Sequence, residues 1–425
     1  MQSHNMNFQE KLLDSFIAFE QDVDLLNPIH KDRKDALKRF EELGFPSKKD
    51  ESWKYTSLKS LVQKDYSLYA KSETNVELKD VKKYLLNDID SFKIVFIDGV
   101  YSPFLSKTTH DGKDICVLSA ALSKDKYKKR IKKYFNKVVP SSESLASLNT
   151  SYTKEGAYIY IPEGICPEDP VQIMHFSTGN QNSIWLQPRN LIIADKGSKI
   201  EVIERHQSLK DHSVVTNSLT EIYAEKNAFV DYYKIQNDLQ TASLIDNTYI
   251  SQQKNSNVRM HTFSLGGKLT RNNLNFYLNG TNANSTLKGV TILGDKQHVD
   301  HYTLVDHIKS NCDSHQDYKG VFSEGAVGVF NGKIHVDRIA QKTNAFQQNN
   351  NILLDDKATV NTKPQLEIFA DDVKCSHGCT VGQLDEEALF YLQSRGIPKK
   401  EARALLTYAF ANNVLESVEL TILKK

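Results

Sequence analysis

The sequence predicts a mainly β protein in which a central β-solenoid lies between two helical regions. From about Ala157 to Phe369 the chain shows short runs of alternating polar and apolar residues and almost no helical periodicity. Within this stretch, apolar residues in similar settings recur every 29 residues, at Ile200, Phe229, Val258 and Leu287. Self-similarity at a fixed period is typical of solenoids. A large barrel or sandwich is the structural alternative, although about 210 residues without a helix is long for a sandwich.

The N-terminal region, residues 1–150, is predicted to be mostly helical. Its first helix has apolar residues at i, i+4, i+8 and i+11, which form one helical face: Phe8, Leu12, Phe16 and Phe19. A second helix over Asp35–Leu43 ends at Gly44, a residue typical of helix C-termini. From Phe92 the pattern changes, and the turn Asp98–Gly99 predicts a short strand and a hairpin.

A basic segment, Lys124–Lys137, carries eight Lys or Arg residues and one Asp. Two interpretations are open: a nucleic-acid-binding patch, or the solvated face of an exposed helix with Tyr127, Ile131 and Tyr134 turned inward. The whole chain has 54 basic and 53 acidic residues and a net charge of +1. Because nucleic-acid affinity depends on unpaired cationic charge, this balance favours the exposed helix and predicts no nucleic-acid partner.

The solenoid core is predicted to span residues 151–378. Its strands include Tyr158–Ile161, Lys199–Val202, Asn275–Leu278 and Gly289–Ile292. Between Asn237 and Asn361 there are 17 asparagines, a residue that tolerates the left-handed backbone of tight corners. Short strands with such corners and no helices favour a β-solenoid over a propeller.

Residues 379–425 are predicted to form a C-terminal helical domain. Asp385–Glu387 places acidic residues in a first helical turn, and Gly396 followed by Pro398 separates this helix from a second one. The expected apolar faces consist of Leu389, Phe390 and Leu392 in the first helix, and of Ala402, Leu405, Leu406, Ala409 and Phe410 in the second. Two short helices cannot bury these faces alone, so we expect them to pack on the solenoid or on a partner.

The composition predicts a soluble, cytoplasmic protein without a catalytic motif of its own. No run approaches the roughly 18 apolar residues of a membrane span, and five scattered cysteines indicate thiols rather than disulfides. The nearest run to a phosphate-binding loop, Gly328–Lys333, has three residues between its glycines and is followed by Ile334, not by a hydroxyl residue. We therefore do not expect an enzyme.

The best candidate site is the segment Lys374–Cys379. Cys375, His377 and Cys379 lie at i, i+2 and i+4, and on an extended strand such residues point to the same side. Thiolate and imidazole are ligands suited to iron, Fe–S clusters or zinc. Three ligands are incomplete for such centres, so a fourth would come from elsewhere or from another chain. The alternative is two buried thiols and a capping histidine.

A second group of metal-ligating residue types consists of His298, His301, His307, Cys312 and His315. Four histidines within 18 residues is a high density in a chain that has 13. For each of them, however, a hydrogen-bonded histidine inside the solenoid is the preferred interpretation. The isolated Cys116 and Cys166 are interpreted as small buried hydrophobic residues.

Several motifs resemble those of the SufB/SufD family, the scaffold components of SUF iron–sulfur cluster assembly. Glu51–Thr56 is similar to the family's E-x-W-K-Y-T motif, and Phe330–Ile334 with Ala340–Thr343 resembles its core. The most specific similarity is C-terminal and is closer to SufD than to SufB; it comprises Lys363–Ile368, Asp371–Gly378, Thr380–Asp385 and Phe390–Ile397.

This resemblance implies a right-handed parallel β-helix, pairing with a SufB-like paralogue, and a SufC-like ATPase bound to the C-terminal helices. It also implies a transient Fe–S cluster or iron at the SufB–SufD interface, for which Cys375 and His377 match the family's C-S-H-G ligands. Cys379 stands where SufD usually has alanine, and is either a third ligand or a replacement of one small residue by another. Reduced flavin in the complex, and a homodimer when the partner is absent, are further implications.

Two other functions stay open at this point. One is a purely structural adaptor that organises SufB and SufC without touching metal, because Cys375 and His377 could serve the interface by packing alone. The other is a β-helix polysaccharide lyase or hydrolase, which would need export and a groove lined with carboxylates. The N-terminal residues show no signal peptide, which argues against the lyase.

Overall fold

The computed structural model describes residues 8–68, 76–181 and 183–424. Residues 1–7, with which the predicted helical region starts, lie outside the described residues. The N-terminal region contains seven described helices: α1 (Phe8–Gln21), α2 (His30–Leu43), α3 (Lys59–Val62), α4 (Leu78–Val81), α5 (Leu118–Leu122), α6 (Asp125–Tyr134) and α7 (Ser144–Ser151). Three strands lie among them: β1 (Phe92–Ile97), β2 (Val100–Tyr101) and β3 (Asp114–Val117).

The central region is a β-solenoid of about eight turns, which confirms the predicted mainly β fold. Its strands are β4 (Ala157–Ile161), β5 (Val171–Ser177), β6 (Ser183–Leu186), β7 (Arg189–Ala194), β8 (Lys199–Ser208), β9 (Ser213–Ala224), β10 (Phe229–Gln236), β11 (Ala242–Gln252), β12 (Asn257–Ser264), β13 (Leu269–Leu278), β14 (Asn284–Leu293), β15 (His298–His307), β16 (Asp313–Phe322), β17 (Val327–Val336), β18 (Thr343–Leu353), β19 (Thr359–Ile368) and β20 (Val373–Gly382). Two C-terminal helices follow, α8 (Glu386–Ser394) and α9 (Lys399–Glu416).

The solenoid strands form two sheets with parallel pairing, and each turn contributes to both. One sheet has the order β2-β1-β5-β8-β10-β12-β14-β16-β18-β20, and the other has the order β19-β17-β15-β13-β11-β9-β7-β4-β3. The N-terminal strands take part in these sheets, since β1 pairs in parallel with β5 and β3 pairs antiparallel with β4. The N-terminal region therefore closes the first turn of the solenoid.

The 29-residue repeat locates the strands but not their register. Ile200, Val230 and Val258 are Cα partners in successive turns, so the predicted Phe229 is one residue away from the true repeat position. Val258 in turn pairs with Ser285, whereas Leu287 pairs with Met260. The corners between strands differ in length from turn to turn, and a constant period cannot follow this variation.

Asparagines occupy corners with left-handed backbone, as the sequence predicts. Asn227, Asn255, Asn282 and Asn311 all have φ between 56° and 59°. Three of them also form a ladder: Asn255 Nδ2 donates to Asn227 Oδ1 at 2.9 Å, and Asn282 Nδ2 donates to Asn255 Oδ1 at 3.1 Å. The three corners of the ladder thus use asparagine both for its backbone tolerance and for hydrogen bonds between corners.

The predicted helix faces are confirmed in the N-terminal region and only partly at the C-terminus. Phe8, Leu12, Phe16 and Phe19 of α1 are buried, as are Tyr127, Ile131 and Tyr134 of the basic helix α6. In α8 and α9, by contrast, Leu389 and Ala402 are buried, but Phe390 is 73% exposed and Leu405 is 50% exposed. None of the helices in the described part of the chain is long and apolar enough to cross a membrane.

The C-terminal end of α9 packs on the outer face of the β1-containing sheet. Ala411 and Val414, with Val418 just beyond the helix, join a buried cluster with Ile203, Tyr233, Phe263 and Val290. An ion pair between Arg259 and Glu419 and a 2.9 Å hydrogen bond from Lys319 Nζ to the Phe410 carbonyl also hold this region. One side of α9 thus lies against the solenoid, while the side with Leu405 faces solvent.

Candidate functional site

The candidate site lies on the last turn of the solenoid, which we call the end rung and define as strands β19 and β20. Within residues 8–68, 76–181 and 183–424, each strand of the end rung pairs with one neighbour, β17 or β18, and its other edge is unpaired. The boundary expected after Gly378 falls within β20, which continues to Gly382. The solenoid therefore ends with a full-length strand, and no further strand among the described residues covers it.

All three predicted ligands face the same side of β20. Cys375, His377 and Cys379 are the Cα partners of Ala345, Gln347 and Asn349 in β18. These three β18 residues are buried, and they alternate with the more exposed Asn344, Phe346, Gln348 and Asn350. Because paired strands share the same pleat, the β20 ligands point toward the solenoid interior at its open end. The sequence predicts that residues i, i+2 and i+4 of this strand point to the same side, and the register agrees with that prediction.

The environments of the three residues differ. Cys375 is partly buried against an apolar cluster that includes Ile334, Val336 and Ala345, and this burial raises the pKa of its thiol. His377 and Cys379 are exposed, and within the described residues no hydrogen bond or ion pair holds either side chain. Their donor atoms are therefore accessible from the open end.

The three side chains do not converge on a single point. Among the described residues, Cys375, His377 and Cys379 do not form a set of donor atoms that all lie within 4.8 Å of one another. The reason is the extended backbone, which places residues i and i+2 roughly 6.6 Å apart along a strand. One ion cannot be bound by all three in this arrangement.

The motif Glu51–Thr56 anchors the N-terminal region to the solenoid. The Trp53 ring lies 4.4 Å from the Arg271 guanidinium carbon, and the Thr56 hydroxyl donates to Asp300. Glu51 forms an ion pair with Lys363 of the end rung. The motif is recognisable in the sequence by resemblance alone, and the structure shows what its side chains contact.

A buried cluster that the sequence analysis missed brings three donors together. His175, Glu204 and His206 lie on adjacent strands β5 and β8, and one donor atom from each lies within 4.8 Å of the others. His175 and His206 are Cα partners separated by one solenoid turn. A comparison of residues one repeat apart, rather than of neighbours along the chain, could have found them.

The second histidine group is dispersed rather than clustered. His301 Nε2 lies 3.0 Å from Thr291 Oγ1, and His307 Nε2 lies 2.9 Å from Ser314 Oγ, both inside the solenoid. His298 hydrogen-bonds to Thr56, while His315 is exposed and stacks on Phe346. The hydrogen-bonded interpretation is thus confirmed for His301 and His307. Cys116 is buried as expected, but Cys166 is exposed.

These interior histidines predict an acid-sensitive fold. Burial lowers the pKa of both His301 and His307 to about 4, whereas histidines in the unfolded chain take up protons near pH 6.5. Protonation therefore favours unfolding as the pH falls from about 6.5 toward 4, and stability is retained above that window. Between about pH 7 and pH 5 we expect each histidine to lower the free energy of unfolding by about 2 kcal/mol.

The measurement for this prediction is urea unfolding at the two pH values. His301→Asn should reduce the difference in the free energy of unfolding between the two pH values by about 2 kcal/mol. His315→Asn should leave this difference unchanged because that side chain is exposed. If His301→Asn has the same pH dependence of stability as the unmodified chain, His301 does not contribute to the acid sensitivity of the fold.

The fold and the end rung together define a class of protein: a helix-flanked β-solenoid whose open end displays two thiols and an imidazole. Residues 176–410 match the family model described as SUF system FeS cluster assembly, SufBD core domain. Residues 6–173 match the model of the SufBD protein N-terminal region. The chain therefore belongs to the SufBD family of iron–sulfur cluster assembly proteins.

Three similar bacterial proteins match nearly the whole chain. The iron-sulfur cluster assembly protein SufD of Escherichia coli is 32% identical over 388 residues, 90% of this chain and 87% of its own. A SufBD family protein of Synechocystis is 30% identical over 92% of this chain and 88% of its own length. SufD of Bacillus subtilis is 25% identical over 99% of this chain and 96% of its own.

Proposed function

We propose that this protein is a SufD-like, non-catalytic scaffold subunit that supports the assembly and transfer of nascent Fe–S clusters. The observation that carries the proposal is the open end rung, which presents Cys375, His377 and Cys379 on one side of an uncovered strand. Thiolate and imidazole are ligands that suit iron and Fe–S clusters. Family membership and the SufD relatives support the same role.

A SufB-like paralogue is the proposed partner at the end rung. The unpaired edges of β19 and β20 offer backbone donors and acceptors that a second solenoid can satisfy. Two apolar side chains beside them, Ile339 and Phe369, are 62% and 60% exposed. Because Cys375, His377 and Cys379 cannot bind one ion together, the partner would supply the remaining ligands of an interfacial cluster. In the absence of that partner, a second copy of this chain would take its place.

A SufC-like ATPase is the proposed partner at the C-terminal helices. These helices expose four large side chains, Phe390, Tyr391, Leu405 and Tyr408, each at least half exposed. The sequence has no phosphate-binding loop, so nucleotide hydrolysis would be supplied by the partner. Since α9 is joined to the outer face of the sheet through its C-terminal end, movement of the helices would be transmitted to the solenoid and its end rung.

The experiment that tests the scaffold role is anaerobic purification of the chain from native lysate, with iron and acid-labile sulfide measured in the same sample. We expect a paralogous solenoid protein and an ATPase to be recovered, together with iron and sulfide. Recovery of the chain alone and without metal would contradict the proposal. Reduced flavin stays a prediction for the complex, and the same sample tests it by absorbance after reoxidation.

The ATPase surface leads to a separate prediction. Tyr408→Glu places a charge in the middle of the exposed apolar side of α9, and we expect it to weaken ATPase binding about tenfold or more. Phe104→Glu is the matched control, because Phe104 is 84% exposed but lies in the N-terminal region. Equal binding of both variants in a titration with purified ATPase would exclude this surface.

The adaptor without metal contact is supported by two observations of its own. Cys375 packs against an apolar cluster, and the three end-rung donors do not converge. In this alternative, Cys375 and His377 serve the interface by packing alone. The two functions differ in the iron and sulfide content of the assembled complex, which can be compared between the unmodified chain and His377→Ala.

A further inference from the structure

The buried cluster of His175, Glu204 and His206 lies far along the solenoid from the end rung. Glu204 Oε1 lies 3.4 Å from His206 Nε2 and 4.0 Å from His175 Nε2. The side chains of the three residues are only 1–8% exposed. A carboxylate and two imidazoles are thus enclosed together, on strands β5 and β8, at the start of the solenoid.

The imidazole nitrogens of this cluster have few partners. His175 Nε2 and His206 Nδ1 are buried and form no hydrogen bond within the described residues, and the partner of His206 Nε2 there is Glu204 Oε1, at 3.4 Å. A buried polar atom without a partner costs about 1–3 kcal/mol, and such atoms usually indicate a water or an ion at the site.

The charges around Glu204 leave its carboxylate incompletely neutralised. Lys234 Nζ contacts both Asp246 oxygens at 2.6 Å and the Thr248 hydroxyl at 2.7 Å, but lies 3.4 Å from Glu204 Oε2. The interior here therefore has two carboxylates and one ammonium. Asp238, at the neighbouring corner, is hydrogen-bonded to Ser208 and to its own loop. A cation beside Glu204 would offset this net negative charge.

The hydrogen bonds of Glu204 orient one oxygen toward the imidazoles. Its Oε2 accepts from the Tyr232 hydroxyl at 2.9 Å, and its Oε1 accepts from Asn190 Nδ2 at 3.0 Å. Oε1 is the oxygen near both histidines, and it retains a lone pair after the single bond from Asn190. The carboxylate is thus positioned by neutral donors while one side of Oε1 stays open to the imidazoles.

We infer that His175, Glu204 and His206 form a binding site for one divalent first-row transition-metal ion, of the Fe²⁺ to Zn²⁺ type. Two histidines and one carboxylate are a ligand set that such ions bind in many proteins, with water or another group completing the coordination. The site is separate from the end rung and does not depend on the proposed cluster scaffold role. The proposed metal site is argued from these three residues and not from membership in the SufBD family.

Binding requires one imidazole to turn. The two rings are now stacked, with centroids 4.6 Å apart and planes 6° apart, so a single ion cannot lie in both ring planes. His175 is also stacked on Phe96, at 4.8 Å. The His206 ring is held through its nitrogens by the 3.4 Å contact with Glu204 Oε1, which is itself a ligand of the proposed site, and rotation about its Cβ–Cγ bond has a broad energy minimum. His206 is therefore the ring that turns to bring its nitrogen onto the ion.

The test uses the full chain in a background variant, Cys375→Ser/His377→Ala/Cys379→Ser, which removes the end-rung donors. Equilibrium dialysis against Zn²⁺, followed by metal analysis, should find one tightly bound ion per chain. His206→Gln and Glu204→Gln should weaken this binding about tenfold or more. His307→Gln is the matched control, because His307 is another buried interior histidine, and it should retain the ion. Circular dichroism checks that each variant is folded.

Crystals of the unmodified chain soaked in Zn²⁺ provide a measurement that needs no variant. We expect an anomalous peak between His206 and Glu204, within bonding distance of both. No retained ion in the background variant, equal affinity in His206→Gln and its control, or an ordinary water at this position would each overturn the inference. Because the end-rung ligands are absent from the dialysis experiment, its outcome is distinguishable from failure of the scaffold role.

Discussion

Arg189→Met is expected to lower the free energy of unfolding by about 3–5 kcal/mol, because it leaves the Glu221 carboxylate buried without its cationic partner. Both side chains are completely inaccessible to solvent. The Arg189 guanidinium also donates to the Thr150 hydroxyl at 2.7 Å and lies 4.5 Å from the centre of the Phe135 ring. One substitution thus removes an ion pair, a hydrogen bond and a ring contact.

The effect should be concentrated where the N-terminal region meets the solenoid. Glu221 accepts hydrogen bonds from the backbone amides of Asn136 and Lys137, which follow helix α6. Urea unfolding followed by tryptophan fluorescence reports on this junction, because both tryptophans, Trp53 and Trp185, belong to the cluster that α1 forms against the solenoid. Circular dichroism reports on the solenoid strands in the same titration.

A surface ion pair provides the matched control for Arg189→Met. Lys196 pairs with Glu163, and the two side chains are 51% and 63% exposed, so Lys196→Met should change the free energy of unfolding far less than Arg189→Met, because solvent screens the pair. Similar losses for the two variants would contradict the prediction. Adding Glu221→Gln to Arg189→Met should restore part of the stability, because the double variant no longer contains an unpaired buried charge.

His377→Ala is expected to reduce the iron and sulfide content of the complex about tenfold or more, with its partners retained. The estimate follows from the 10- to 100-fold losses in metal affinity that accompany even the removal of groups that only support a metal ligand. His377 is exposed at the open end of the solenoid, so its removal leaves no cavity in the core. The change therefore separates metal binding from folding and from assembly.

His315→Ala is the control for this experiment. His315 lies on β16, in the same sheet, and is also exposed, but it is stacked on Phe346 on the outer face. Its removal should leave iron and sulfide unchanged. Undiminished iron and sulfide in His377→Ala, with both partners present, would favour the adaptor without metal contact. Normal cluster maturation by His377→Ala in cells lacking the native copy would lead to the same conclusion.

Much of the fold could be predicted from local pattern. The face of α1 follows from the spacing of Phe8, Leu12, Phe16 and Phe19, and the stop of α2 follows from Gly44, whose φ is 65°. The solenoid follows from its repeat and from the corner asparagines. The apolar faces of the C-terminal helices were predicted less well. A helix that packs with one side and exposes apolar residues on the other has no single apolar face that marks its buried side.

The residues of the candidate site could be selected from the sequence, but their positions relative to one another could not be predicted. Cys375, His377 and Cys379 could be selected by their residue types and by period two. Their separation from one another, the partial burial of Cys375 and the uncovered edge of β20 follow from the position of this strand at the end of the solenoid. No local spacing contains that information.

The sequence by itself therefore determined the order of the three regions, the solenoid class and the choice of Cys375, His377 and Cys379 as candidate ligands, because these depend on periodicity and residue type along the chain. The tertiary structure decided which residues of different turns become neighbours, as with His175 and His206, or Arg189 and Glu221. The physical reason is that register depends on the length of every corner, and a difference of one or two residues per turn changes which side chains meet inside the solenoid.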